Sequence, residues 1–258
     1  MNEISADMMP VSFVPRADGL RLACRFLPGA GPLLLFLPGY RSDMEGGKAQ
    51  AVLAHARAKG QACLLLDYAG CGSSEGRFED GTLAVWRDDV LALIDHFWPE
   101  GRIIPIGSSM GGWLALLVAL RLVGSARSER VAGLIGIAGA PDFTGWGFTE
   151  EQKKALREEG RIFEPSDYGD PMMTTLAFWE SGQANPLLNG EIALDCPVRL
   201  LHGQQDEVVP WQIAVRTAAC LRSDDVQTVL VKDGDHRLSR ESDIALLLNL
   251  VDGLLDIA

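Results

Sequence analysis

A serine set in a sharp turn between a buried strand and a helix is the feature of this chain that points most directly to covalent chemistry. The apolar run at residues 103–106 leads straight into Gly107-Ser108-Ser109-Met110-Gly111 and then into an apolar helix candidate, which gives G-x-S-x-G in strand–turn–helix context. Such a turn needs small flanking residues and lifts its central side chain clear of the sheet, so Ser109 is the candidate nucleophile and Ser108 points elsewhere. Ser109 also opens a helix, where a developing negative charge is favoured. The plain alternative is a Gly-Ser-rich connecting turn.

A serine hydroxyl is a weak nucleophile at its free pKa, so it needs a base, and the base needs an acid that fixes its tautomer and stabilises its charged form. Of four histidines, His55 and His96 fall inside helix candidates and His202 ends a strand in Leu200-Leu201-His202-Gly203. His236, in Lys232-Asp233-Gly234-Asp235-His236-Arg237, follows the last strand candidate at a C-terminal strand end, where an open α/β sheet places its ligands. It is the candidate base. Asp206, in the loop after the preceding strand, is the candidate acid; Glu207, Asp233 and Asp235 are its rivals, with turn formation as the ordinary role of the last two. An oxyanion needs two backbone donors: Met110 N–H, after the nucleophile, and Tyr40 N–H, in Phe36-Leu37-Pro38-Gly39-Tyr40, where Gly39 permits close approach. A plain Pro-Gly turn is the alternative for that loop.

The elements that must position these residues alternate strand and helix, the pattern of an α/β fold built on a parallel sheet with helices on both faces. Strand candidates cover residues 11–15, 20–27, 33–37, 62–67, 102–107, 134–138, 198–202 and 227–231, about eight strands, the first two joined as a hairpin by Asp18-Gly19. Helix candidates cover 47–59, 82–98, 110–123, 211–222 and 240–257. The helix at 110–123 is apolar all round and belongs in the middle of the molecule. Residues 141–193 break the alternation, with a polar helix candidate at 149–159 followed by Pro165, Gly169, Pro171 and Pro186. They are expected to form a cap inserted in a core made of residues 1–140 and 194–258, since a structureless connection of that length is improbable in a compact domain.

With these motifs in place, the chain resembles an α/β-hydrolase from end to end, with Ser, Asp and His in that family's chain order. The stretches Leu37-Pro38-Gly39-Tyr40-Arg41-Ser42-Asp43-Met44, Asp67-Tyr68-Ala69-Gly70-Cys71-Gly72-Ser73-Ser74, residues 107–113, residues 199–211 and Asp235-His236-Arg237 are similar to the mitochondrial acyl-protein thioesterase branch of the α/β-hydrolase-domain family. The resemblance implies Ser109, Asp206 and His236 as triad and Tyr40 and Met110 as oxyanion hole. It also implies removal of palmitoyl groups from protein cysteines or cleavage of acyl-glucuronides. Pro38 stands where many hydrolases carry His, which leaves a backbone donor feasible.

Ester or thioester hydrolysis through an acyl-enzyme is therefore the expected reaction, with no cofactor and no metal. The alternatives are a general small-ester carboxylesterase and a non-catalytic binding module on a hydrolase scaffold. Trp113, Trp179 and Trp211, with Phe78 and the Met172-Met173 pair, are candidates to line an apolar acyl pocket, and Arg41 and Ser42 to touch a polar leaving group. The loop Gly70-Cys71-Gly72 lacks the third glycine of a dinucleotide fingerprint and reads as a structural turn. No Cys-x-x-Cys, His-x-x-x-His or acidic cluster suggests a metal, and the five scattered cysteines are expected as reduced thiols.

With 23 basic against 35 acidic residues, the net charge of −12 repels nucleic acid and anionic membranes. The longest apolar run, residues 113–120, is far short of the ~20 residues needed to span a bilayer. Residues 1–10 contain Glu3 and Asp7 and no Lys or Arg, matching neither a secretion signal nor a transit peptide, so a cytoplasmic chain is expected.

Overall fold

The chain opens as the Asp18-Gly19 turn dictates, with an antiparallel hairpin of β1 (Ser12–Pro15) and β2 (Arg21–Leu27). Strand and helix then alternate: β3 (Ala30–Leu37), α1 (Gly47–Lys59), β4 (Gln61–Leu66), α2 (Leu83–Phe97), β5 (Ile103–Ser108), α3 (Met110–Val123) and β6 (Leu134–Ile137). After an insertion, β9 (Val198–Gly203), α7 (Gln212–Cys220), β10 (Val226–Val231) and α8 (Glu241–Leu255) complete the main body. The computed structural model describes residues 9–124, 128–165 and 171–258. The opening segment used for the targeting argument, apart from its last two residues, and Gly169 lie outside them.

Eight strands form one sheet in the order β1-β2-β4-β3-β5-β6-β9-β10; β2 runs antiparallel to β1 and β4, and every later pairing is parallel. A strand buried on both faces must be apolar at every position, and β4 and β6 are buried throughout. Alternate residues of β3 feed two separate cores. Leu33, Leu35 and Leu37 join the side chains of α2, α3 and α7, whereas Leu34 and Phe36 join those of α1 and α8. Helices thus cover both faces, as the alternation demands. The apolar α3 is buried over nearly its whole surface, consistent with its central place.

The insertion between β6 and β9 holds α4 (Phe143–Trp146), α5 (Glu150–Glu159), β7 (Arg161–Glu164), β8 (Met172–Thr175) and α6 (Leu176–Gln183). The expected helix at 149–159 is α5, started by a capping box in which Thr149 Oγ1 accepts from Gln152 N and the Gln152 side chain accepts from Thr149 N. The antiparallel pair β7–β8 is separate from the main sheet. Phe148, Leu156 and Trp179 make a small core of their own here.

Candidate active site

Two glycines make the turn at Ser109 sterically possible. A methyl on Gly107 would lie 2.1 Å from Gly111 O, and one on Gly111 would lie 2.0 Å from Leu37 O, so β5, the first turn of α3 and the end of β3 approach more closely than any side chain permits. Ser109 itself takes φ 56° and ψ −121°, a backbone state that an L-residue adopts at a cost of about 1–3 kcal/mol. The strain is held in place by backbone bonds: Ser109 N–H donates to Ile137 O at 2.9 Å, and Ser109 O accepts from Gly112 N and Ala140 N.

His236 arrives from the loop after β10. Its Nε2 lies 3.2 Å from Ser109 Oγ, and its Nδ1 lies 2.8 Å from Asp206 Oδ2. The histidine ring is partly open, with 24% of its side chain exposed, while the Asp206 side chain is fully buried. Asp206 Oδ1 accepts from Val208 N at 2.9 Å and Val209 N at 2.8 Å, so the loop after β9 wraps around its own carboxylate. Oδ2 also lies 3.1 Å from Nε2 of His202, which is fully buried at the end of β9. Burial pushes the Asp206 carboxyl up, but the bonds from His202, His236 and Val209 N–H outweigh it and hold the group well below the usual carboxylate range.

The rivals for the acid are occupied elsewhere. Asp233 pairs with Arg240 at 2.7 Å, Asp235 Oδ1 accepts from Leu238 N at 2.9 Å as a turn residue does, and Glu207 is exposed. His55 sits 2.7 Å from Asp252 near the surface, and His96 lies edge-on to Phe97. The approach of His202 to Asp206 is not among the sequence expectations. The spacing His-Gly-x-x-Asp carries it only once the loop folds back on the strand end.

Gly39 lies against the elbow, where an added methyl would meet Ser108 O at 3.3 Å and Ser109 Cβ at 3.4 Å. The Pro38–Ser42 turn therefore stands beside the nucleophile, with Ser42 N–H donating to Gly39 O at 3.0 Å. Met110, as the first residue of α3, has an amide with no intrahelical acceptor. The Tyr40 side chain runs away from Ser109 into an aromatic group with Phe78, Trp86, Phe143 and Phe178, at ring separations of 5.2, 6.0, 6.4 and 4.8 Å. Its hydroxyl, pushed up by burial and so a donor, bonds Met173 O at 2.7 Å.

Arg41 has φ 57°, donates to Pro171 O at 2.7 Å and lies over the Phe78 ring. Its guanidinium is thus engaged by the insertion. The Gly70–Gly72 loop is organised by Asp67, whose two oxygens accept from Met44 N and Ser73 N at 2.8 Å each; this braces the chain just beyond the Pro38–Ser42 turn, in line with a structural turn.

The tryptophans named as pocket candidates are set differently from that expectation. Trp113 is fully buried with its indole N–H on Asn185 O, and Trp179 is buried in the insertion's core with its N–H on Thr144 O and Arg157 over its ring. Both are packing residues, because a large aromatic whose polar edge is satisfied is most stable inside a core. Trp211 is half-buried at the start of α7. Half-buried Tyr40, Phe78 and Phe143 form an apolar face next to the Pro38–Ser42 turn.

All five cysteines are unpaired. Burial pushes the thiols of Cys63 and Cys71 up to about 12, which leaves them poor nucleophiles. Among the described residues no group of three or more His, Cys, Asp or Glu is placed to hold a metal, and no helix is long and apolar enough to cross a membrane.

A family model described as the alpha/beta hydrolase family matches residues 34–247. The human protein named palmitoyl-protein thioesterase ABHD10, mitochondrial, is 39% identical over 251 residues, covering 95% of this chain and 80% of its own length. The solved structure of mouse alpha/beta hydrolase domain-containing protein 10 superposes with a TM-score of 0.87 at 40% identity, over 96% of this chain and 98% of that one. A putative hydrolase from Agrobacterium vitis S4 superposes with a TM-score of 0.87 at 38% identity, over 95% of this chain and 99% of that one.

These names overturn the cytoplasmic expectation, since the curated ABHD10 relatives are named as mitochondrial proteins. Cellular address is read from a short segment by dedicated machinery and leaves no mark on a hydrolase core, so the composition of ten residues was a poor guide to it.

Proposed function

Because the chain belongs to the alpha/beta hydrolase family, we propose that it hydrolyses carboxylic thioesters or esters through an acyl-enzyme on Ser109, with an acylated molecule as substrate. The observation that carries this reading is the unbroken relay from buried Asp206 through His236 to Ser109, at 2.8 and 3.2 Å. A long-chain acyl thioester is the first substrate class to consider, on the strength of the relatives' name and the apolar face of Tyr40, Phe78 and Phe143.

In this mechanism Ser109 Oγ attacks the acyl carbonyl while His236 Nε2 takes its proton. Asp206, ionised by virtue of its hydrogen bonds, holds the Nδ1–H tautomer and stabilises the imidazolium. The oxyanion is received by the amides of Met110 and Tyr40, and the N-terminus of α3 adds its dipole. On collapse, His236 returns the proton to the departing thiolate or alkoxide. Water then repeats the sequence against the acyl-enzyme and frees the acid and Ser109. Residues 141–193 act as the cap that shapes the acyl side, a role supported by the bonds from Tyr40 to Met173 O in β8 and from Arg41 to Pro171 O just before it.

The test is hydrolysis of a palmitoyl thioester, a short-chain ester and an acyl-glucuronide by the wild type and Ser109→Ala. The proposal expects clear preference for one acyl donor in the wild type and a loss of roughly 10⁴-fold or more in the variant. A preference for the short ester would replace the thioesterase reading with a general carboxylesterase. Equal inertness of both proteins, with no labelling of Ser109 by a fluorophosphonate, would leave a binding module on a hydrolase scaffold.

A further inference from the structure

Four donor groups lie within 3.1 Å of the Asp206 carboxylate, and one of them has no part in the relay described above. Oδ1 accepts from the amides of Val208 and Val209, Oδ2 accepts from His236 Nδ1 at 2.8 Å, and His202 Nε2 lies 3.1 Å from Oδ2. His202 Nε2 also lies 3.0 Å from Val209 O, which can only accept. Flanked by two acceptors, this nitrogen carries the hydrogen, which is directed to Val209 O with Asp206 Oδ2 beside it. His202 Nδ1 is buried and has no partner among the described residues; the ring borders a cavity of about 10 Å³ lined by Gly112, Leu116, Gly139, Leu200 and Thr217.

An apolar side chain in that place, like its neighbours Leu200 and Leu201, would carry no buried polar nitrogen and no desolvation penalty. What the imidazole adds is an N–H held between Val209 O and the Asp206 carboxylate. We propose that His202 is a positioning residue for the reaction: by holding Asp206 and Val209 O together it fixes the tilt of the carboxylate, and by sharing Oδ2 it limits how strongly Asp206 draws on His236. Other charged groups nearby are spent or open to solvent: Asp235 bonds Leu238 N, Lys48 Nζ bonds Arg237 O, and Glu207 is exposed. The elements packed on the far side of the ring, α3 and α7, present Leu116, Ala214 and Thr217, none of them charged.

The inference rests on the triad reading, so its test includes a measurement that needs no turnover. His202→Leu removes the donor at similar volume, and His202→Gln keeps an N–H near the place of Nε2. The titration of the His236 ring is followed by NMR in the wild type and both variants, beside the pH profile of kcat/KM and the thermal midpoint. In His202→Leu the His236 midpoint is expected to rise by about 0.5 pH unit or more, because Oδ2 is then undivided. The acidic limb of the rate profile should move with it. kcat should fall roughly ten- to a hundredfold, the size of one charge-assisted bond, with KM little changed.

His202→Gln should restore both quantities toward wild type. An unmoved His236 midpoint in His202→Leu, or equal damage from Leu and Gln, overturns the proposal. Should His202→Leu fail to fold, His202→Asn, too short to reach Asp206, is read in its place. If the wild type turns over nothing, the triad reading falls, and the ring titration still decides whether His202 governs Asp206.

Discussion

At the scale of single residues, the candidate site separates three aspartates that lie close together in sequence or space. Asp206→Asn is expected to lower kcat by about 10⁴-fold, because the amide favours the wrong imidazole tautomer, whereas Asp233→Asn and Asp235→Asn should stay within roughly threefold of wild type in the same assay. Near-normal turnover by Asp206→Asn with loss in Asp235→Asn would move the acid to Asp235. The depressed carboxyl of Asp206 also has a signature in stability. A carboxylate held below its unfolded value contributes stability that is complete above about pH 4 and is lost as pH falls toward the folded value. The gap in unfolding free energy between wild type and Asp206→Asn, measured in urea, should therefore be widest near pH 7 and narrow below about pH 4. A gap independent of pH would deny the carboxylate that role.

Ser109, Asp206 and His236 were legible in the sequence because each follows an apolar strand and strand ends gather at one edge of a parallel sheet. His202 was not, because a histidine closing a strand gives no sign of where a later loop will return.

At the scale of elements, the elbow depends on backbones that touch. Gly111→Ala puts a methyl 2.0 Å from Leu37 O, an atom fixed by the sheet, so it is expected to cost about 2 kcal/mol or more of stability, seen as a lowered urea midpoint and a lowered Tm. A neutral result would mean that β3 and α3 can part without loss. Tyr40→Phe probes the link between the Pro38–Ser42 turn and β8. It leaves the Tyr40 amide in place and removes only the donor to Met173 O, so it should cost about 1 kcal/mol of stability and raise KM more than it lowers kcat. A large loss of kcat with unchanged KM would instead tie the hydroxyl to the chemistry.

The alternating strands and helices of the main body stand close to where hydrophobic periodicity sets them, down to the limits of α3. The insertion was less readable beyond α5. β7 and β8 are four residues each, too short for alternation to register, and β7 leaves Phe163 exposed where a core-facing residue would be the signal.

At the scale of the whole molecule, the net charge of −12 acts on any substrate before contact. A thioester carried on an anionic leaving group such as coenzyme A should be repelled, so raising ionic strength from about 0.02 to 0.15 M is expected to increase kcat/KM for it and leave that for a neutral thioester unchanged. Equal salt response of the two would show that the acidic surface faces away from the entrance.

The bonds that join the Pro38–Ser42 turn to β8 and the residue before it end on the main-chain oxygens of Met173 and Pro171. A carbonyl is the same whatever side chain it carries. Substitutions along this strand can therefore accumulate and reshape the acyl side while the anchorage of the turn survives. Insertion or deletion of a residue would not be tolerated in the same way, since it would slide both acceptors out of reach together. The segment is free to drift in composition and bound in length, which separates the evolution of what is recognised from the evolution of how fast it is cut.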